Sequence, residues 1–389
     1  MSRHKYQTPL SIALFRTILL SAVRVLWHPK LSGGAEALRQ GPCFIYGNHS
    51  NRWDPFILNC FTPWSDPTGG VMTQEFFRKP FLRWALSRFD LHPTRKRMAD
   101  PHLIRVLHRM VADGRKIVVY PEGGSRWTGR PEPWIRSTAK VFTRMGIPVY
   151  PVVTHGSYTS WPRWATHPRP GRVEVEILEP LTFTRDTPLD QAIEQLKAPI
   201  AFDENLPPEH LRPRWAYRPA DGIHRLLYRD PQTGERDSLI SRDGTYVENK
   251  DGSLRLKMLP DSRLLNEKTG EIHLTGDLYE RIHDMPLSKG PGGELLENNV
   301  EYHTEIDFPH LVSHGTVNAR LFDDSIQLSG AAVRSIPMTD LHGFDVERNF
   351  KLQLFLKGEM VQLSFVGGGS ALAWRDALRR LHPDSWVRG

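Results

Sequence analysis

Two side chains with complementary chemistry lie close together in one stretch, Phe44-Ile45-Tyr46-Gly47-Asn48-His49-Ser50-Asn51-Arg52-Trp53-Asp54-Pro55. A histidine takes up protons near neutral pH. An aspartate that accepts from one ring nitrogen fixes the tautomer and leaves the other nitrogen free as a base. His49 precedes Asp54 by five residues. On a continuous helix that step turns about 500° and points the side chains apart. Across a strand-turn-helix corner they can meet. The apolar run 44–46 reads as a strand, and Asp54-Pro55 reads as a helix start with Asp at the N-cap and Pro at N1. The corner alone leaves two readings open: a catalytic pair, or a helix cap beside an ordinary loop histidine.

Two further groups could serve the same chemistry. One is the basic cluster His92-Pro93-Thr94-Arg95-Lys96-Arg97. The other is the turn Glu122-Gly123-Gly124-Ser125-Arg126 after the apolar run Ile117-Val118-Val119-Tyr120. The chain has no Gly-x-Ser-x-Gly, His-Glu-x-x-His, P-loop or Gly-x-Gly-x-x-Gly pattern, so the usual hydrolase, metalloprotease and nucleotide signatures are absent. All three candidate groups follow strand-like segments. In open α/β sheets, ligands bind beyond the carboxyl ends of the strands. A base, a phosphate-sized positive patch and a glycine turn could converge there. That set suits base-assisted attack by a substrate hydroxyl, with an anionic group held by arginine.

The elements that must position these residues follow in order. Val71-Met72-Thr73 reads as a short strand, and 74–91 as one or two helical turns broken at Pro80. Its aromatics beside arginines suit a membrane interface or a phosphate ligand, and equally an ordinary helix with snorkelling side chains. Residues 100–113 show helical periodicity, 116–120 is a strand apolar on both faces, 134–145 is a helix, 147–153 another buried strand, and 173–178 alternates as an edge strand. This order predicts an α/β fold with a mainly parallel sheet flanked by helices. Prolines 199, 207, 208, 213 and 219 mark a linker or surface run. Hairpin turns recur through 223–282, 286–300 reads as a loop, and strands at 316–322, 325–329, 350–357 and 359–366 precede a helix at 370–381. The expected organisation is a helix in 1–30, an α/β domain in 31–205, a linker with small hairpins in 206–285, and in 286–389 a mostly-β extension. Its antiparallel strands closed by one helix suggest a small barrel of the pleckstrin-homology type.

Charge divides the chain. Residues 1–205 carry 28 Lys and Arg against 17 Asp and Glu, whereas the remainder carries 23 against 27. The first half therefore favours an anionic partner. Its positive charge accompanies interfacial aromatics rather than a nucleic-acid module, so nucleic acid is not the expected partner. The two cysteines, Cys43 and Cys60, are far apart, which argues against a disulfide framework or zinc site and fits a reducing compartment. No metal is expected. Residues 9–27 are mostly apolar but interrupted by Arg16 and Arg24, which share one side of a helix. The expectation is a helix lying in a membrane interface with its arginines toward headgroups; a helix packed on the domain is the competing reading. No small-residue cleavage site follows, which argues against a secretory signal.

The ordered set Asn48-His49-x4-Asp54-Pro55, then Tyr120-Pro121-Glu122-Gly123, then Ile147-Pro148-Val149-x-Pro151 resembles the glycerolipid acyltransferase family that includes the lysophosphatidic acid acyltransferases. The resemblance covers roughly 40–185. It implies that His49 is the general base for the hydroxyl of a lysophospholipid acceptor, most of all 1-acylglycerol-3-phosphate, giving phosphatidic acid. Asp54 would orient His49. The donor would be a thioester of coenzyme A or of an acyl carrier protein, with no further cofactor and no covalent acyl-enzyme. Glu122 and Gly123 match the acceptor-binding block, and Arg95 stands where the family has a phosphate-contacting arginine. The family usually has arginine three residues after the glutamate; here that place is Ser125, and Arg126 follows, so either Arg126 contacts the acceptor phosphate through a local shift or Arg95 carries more of that contact. Another lysophospholipid, another lipid alcohol, or a non-catalytic lipid-binding role on the same fold are the alternatives. The stretch 156–164 resembles a subgroup whose carboxy-terminal extension can begin with a zinc ribbon, but 223–275 contains no cysteine. The implied location is peripheral or monotopic, on the cytoplasmic face of a membrane.

Overall fold

The computed structural model describes residues 10–94, 101–184 and 186–383. Among these residues the strands form three sheets. The first is built by β1 (Lys30–Gly33), β2 (Cys43–Gly47), β3 (Gly69–Thr73), β4 (Leu91–Thr94), β5 (Lys116–Val118), β6 (Val149–His155) and β7 (Glu174–Ile177), in the order β1-β7-β6-β2-β5-β3-β4. Strands β6, β2, β5, β3 and β4 are mutually parallel; β7 runs antiparallel to β6 and parallel to β1. The central strands β2 and β5 are buried throughout, as a sheet covered on both faces requires. The helices are α1 (Leu10–Trp27), α2 (Asp54–Asn59), α3 (Pro80–Arg88), α4 (Pro101–Ala112), α5 (Arg136–Arg144), the single turn α6 (Ser157–Ser160) and α7 (Leu189–Lys197). The expected α/β architecture is therefore present. Strand β7 is not an edge, because β1 pairs outside it. The four-residue Lys-Leu-Ser-Gly strand is too short to show alternation.

Helix α1 departs from expectation in its orientation. Arg16 is buried and donates to the carbonyls of Asn59, Pro63 and Trp64 at 3.0, 3.0 and 2.7 Å. Arg24 donates to the Cys60 carbonyl at 2.7 Å. The arginines thus satisfy carbonyls at the end of α2 and in the loop after it, and Arg16 faces inward while Arg24 stays exposed. The outward face is apolar, with Leu10, Leu14, Ile18 and Val25 62–78% exposed. Trp27 is buried against Trp53 and Trp161. No described helix is long and apolar enough to cross a membrane.

The second sheet is a meander of β8 (Leu239–Arg242), β9 (Tyr246–Asn249), β10 (Arg255–Met258), β11 (Arg263–Leu265) and β12 (Ile272–Leu274), followed by α8 (Thr275–Asp284). The third contains β13 (Leu296–Glu305), β14 (Val312–Leu321), β15 (Ser325–Gly330), β16 (Arg334–Pro337), β17 (Gly343–Glu347), β18 (Lys351–Leu356) and β19 (Glu359–Ser364), in the order β16-β15-β14-β13-β19-β18-β17. It is antiparallel throughout and is closed by α9 (Ala371–Leu381), which buries Trp374 and Leu378. This agrees with a barrel-like extension. Residues 296–300, read as loop, begin β13, the strand that joins the two halves of the sheet through β14 and β19. One apolar core runs from Leu226 and Leu256 through Leu278 to Leu354 and Trp374. Packing therefore unites 223–285 with 286–389 instead of separating them.

Candidate active site

The strand ends of the parallel sheet place the site. After β2, Asn48 turns inward and bonds Thr154 of β6 twice, its amide donating to the Thr154 carbonyl at 3.0 Å and its oxygen accepting from the Thr154 N–H at 2.8 Å. His49 follows. Its Nδ1 lies 2.9 Å from Asp54 Oδ2, so the two expected partners do meet across the corner. The same carboxylate oxygen accepts from the backbone N–H groups of Ser50 and Asn51 at 2.9 and 3.0 Å, and Oδ1 accepts from the Ser157 hydroxyl. The Asp54 carboxylate makes no side-chain cap on α2. It faces the preceding loop; Trp53, not Asp54, stands at the N-cap position, so the expected helix cap by Asp54 is not formed and its carboxylate is turned to His49 instead.

With Nδ1 donating to Asp54, Nε2 carries the lone pair. It faces Ser125 Oγ at 3.5 Å. The imidazole stacks on Tyr120, centroids 4.2 Å apart, and is partly exposed while Asp54 is buried. Burial and the nearby Asp54 charge push the Tyr120 hydroxyl well above its ordinary range, which keeps it neutral against the ring. Such a ring, tautomer-fixed from one side and with its lone pair on the other, can accept a proton from a hydroxyl.

The loop is held from behind by residues that sequence reasoning missed. Asn51 donates to Ser160 Oγ at 3.0 Å, and Ser50 donates to Glu204. Ser157 and Ser160 come from α6, which starts immediately after the left-handed Gly156 (φ +76°) at the end of β6. A Gly-Ser pair closing a buried strand was the available signal. Glu204 lies in the proline-marked stretch read as linker; nothing local to the sequence tied it to the site.

Glu122 and Arg126 form a buried ion pair with Nη2–Oε1 at 2.6 Å, and Arg126 Nη1 reaches Glu204 at 3.0 Å. Arg126 also donates to the Ile200 and Phe202 carbonyls at 2.7 and 3.2 Å, and its backbone N–H donates to the His49 carbonyl at 2.7 Å. Its side chain has no solvent exposure. The expected contact of Arg126 with a substrate phosphate is therefore not available in this arrangement: the guanidinium is engaged with two carboxylates and two carbonyls. Two carboxylates share one cation in a buried place. Burial accordingly pushes Glu122 up to about 7, although Arg126 pulls it the other way. Gly123 sits at φ +73°, a left-handed backbone that favours glycine. Arg95 lies outside the described residues.

Residues 31–155 match the acyltransferase family. Among solved structures, the chain is similar to the 1-acyl-sn-glycerophosphate (LPA) acyltransferase PlsC from Thermotoga maritima, with 18% identity over 49% of this chain and 76% of that one and a TM-score of 0.40. A structure of the Vav1 exchange factor with its PH and C1 domains aligns over 28% of this chain and 27% of that one, with 11% identity and a TM-score of 0.16.

Proposed function

Because residues 31–155 form an acyltransferase-family domain, we propose that the protein transfers a fatty acyl group from a thioester to the hydroxyl of a lysophospholipid, with 1-acylglycerol-3-phosphate as the acceptor and phosphatidic acid as the product. The supporting observation is the His49 ring, fixed through Nδ1 by Asp54, with Nε2 meeting only the long 3.5 Å contact to Ser125 Oγ. In this reading Nε2 takes the proton as the acceptor oxygen attacks the thioester carbonyl. The tetrahedral species collapses with loss of the thiol of coenzyme A or of an acyl carrier protein, which recovers the proton from His49. No covalent acyl-enzyme is formed. Glu122 and Gly123 shape the wall beside the acceptor, and Arg95 contributes to its phosphate. The outward apolar face of α1 (Leu10, Leu14, Ile18 and Val25) supports peripheral attachment to a membrane; in this reading the membrane face is the cytoplasmic one.

Replacing His49 by Ala should cut acyl transfer by roughly 10²- to 10⁴-fold while the melting transition and liposome binding stay in place. Near wild-type turnover in His49→Ala would end this reading. The sequestration of Arg126 makes the acceptor a separate matter. A panel of lysophospholipids and lipid alcohols assayed with one acyl-CoA will show whether a phosphate monoester is preferred.

A further inference from the structure

The carboxy-terminal sheet lies against the acyltransferase domain where the parallel strands end. Contacts at three places fix it there. After β3, Lys351 Nζ meets Glu75 Oε1 at 2.5 Å and Gln74 donates to Glu305 at 3.1 Å. After β5, Glu132 takes Arg375 and Arg379 of α9 at 3.4 and 3.3 Å. Burial pushes Glu132 up, but the two arginines outweigh it and hold it at about 2. Beside α6, Arg163 donates to the Val346 carbonyl at 2.5 Å, and Asn349 donates back to the Arg163 carbonyl.

The third place leads to the histidine. Arg163 Nη1 also donates to the Ser125 carbonyl at 2.8 Å, and Ser125 Oγ is the group 3.5 Å from His49 Nε2. The Arg163 carbonyl accepts from Arg52 Nη2 at 3.3 Å as well as from Asn349. One carbonyl thus joins the His49–Asp54 loop to the turn between β17 and β18. Arg52 comes three residues after His49, with its guanidinium 4.5 Å over the Trp161 ring. Arg348 directly precedes Asn349 and lies 5.1 Å over Phe76. Both arginines are exposed. Neither has a carboxylate partner among the described residues. Arg348 and Asn349 both adopt left-handed backbone, φ 49° and 70°. Asparagine tolerates that region, whereas an arginine is unusual there. Arg52 reaches solvent but is closely packed: the loss of water around its guanidinium, and then the neighbouring Arg163, Arg225 and Arg348, draw it down to about 10. An anion seated among these cations would relieve that repulsion.

We propose that Arg52 and Arg348 bind a phosphate group of a substrate beside His49, so that the carboxy-terminal domain supplies part of the acyltransferase site. The assignment rests on the acyl-transfer reading above and adds the residues that hold the phosphate. Two planar guanidinium forks suit phosphate oxygens. The phosphate has two sources, the acceptor headgroup and the coenzyme A of the donor.

The test uses full-length Arg348→Ala, Arg52→Ala, the double variant and Arg348→Lys. KM is measured for 1-acylglycerol-3-phosphate against 1-acylglycerol, and for acyl-CoA against the phosphate-free acyl-pantetheine. Loss of either arginine should raise KM roughly tenfold for the phosphorylated member of one pair and leave its phosphate-free counterpart unchanged. The pair affected identifies the source. Arg348→Lys should recover part of the loss, and the melting midpoint should not move. Unchanged KM for all four substrates, or equal changes within both pairs, overturns the assignment. If the wild-type protein transfers no acyl group at all, the acyl-transfer reading has failed on its own. Calorimetric titration of coenzyme A and of a short-chain lysophosphatidate into the same proteins then decides the arginine pair. Weaker binding to the variants supports it, and equal or absent binding overturns it.

Discussion

The wall behind His49 and the rim in front of it both carry arginine, with opposite surroundings. Behind, Arg126 is enclosed by Glu122, Glu204 and two carbonyls, and its own N–H holds the His49 carbonyl. In front, Arg52 and Arg348 stack on aromatic rings and stay open to solvent. A buried guanidinium with matched carboxylates has no donor left to offer a ligand, and removing it strands charge. An exposed guanidinium without a carboxylate has its fork available. The difference separates an arginine that positions the loop from arginines placed to meet a substrate, although Arg126 is the one that falls inside the recognisable motif.

Asp54→Asn should show the largest effect, because it breaks the tautomer control on which both sides depend. The amide cannot accept from His49 Nδ1, Ser157 and two backbone N–H groups together. We expect kcat to fall by roughly 10²–10⁴, read in steady-state assays with saturating donor. Arg126→Met comes next, and acts on stability. It leaves Glu122 and Glu204 buried without their cation, at a cost of about 3–5 kcal/mol, measurable by urea unfolding. Adding Glu122→Gln and Glu204→Gln should restore part of it. A stable Arg126→Met protein with a raised KM only for phosphorylated acceptor would reverse the comparison and make Arg126 the ligand.

Helix α1 repeats the same contrast at a smaller scale. Its Arg16 is engaged with carbonyls, and its outward face is apolar. Ile18 is 65% exposed, so Ile18→Asp should leave the fold intact. Burying an isoleucine side chain is worth about 1.5–3 kcal/mol, so liposome partition should weaken about tenfold or more. Cosedimentation with anionic vesicles checks this. Unchanged partition would remove α1 from the membrane contact.

The parallel sheet was legible because its strands are apolar runs interrupted by helical periodicity, and the His49–Asp54 corner because strand, turn and helix signals coincide within a dozen residues. What escaped was set by distant partners. Ser157 and Glu204 reach the corner from 103 and 154 residues away along the chain, and no local pattern announces such a pairing. The direction of Arg16 depended on which face of α1 found the open carbonyls after α2, a tertiary choice that helical spacing leaves undecided. Strand β13 reads Leu-Glu-Asn-Asn-Val-Glu-Tyr-His-Thr-Glu; it is polar enough to pass for loop, and its pairing on both sides makes it a strand. The docking of the β17–β18 turn onto Arg163 lies wholly in three dimensions.

The smallest expected effect tests the wall through its protonation. Glu122 is raised by burial to about 7 from 4.5, against the opposing pull of Arg126. Between those values the folded protein binds a proton that the unfolded chain has released. Stability therefore declines as pH rises from about 4.5 to 7, since the unfolded state binds fewer protons across that window. Glu122→Gln cannot titrate, so the difference in unfolding free energy between wild type and variant should shift in favour of the variant as pH rises through the window. Above about 7 the difference should level off. Urea midpoints at closely spaced pH values measure it. A difference that is flat from pH 4 to 8 would mean that Arg126 fully compensates Glu122, and the wall would then be an ion pair indifferent to pH.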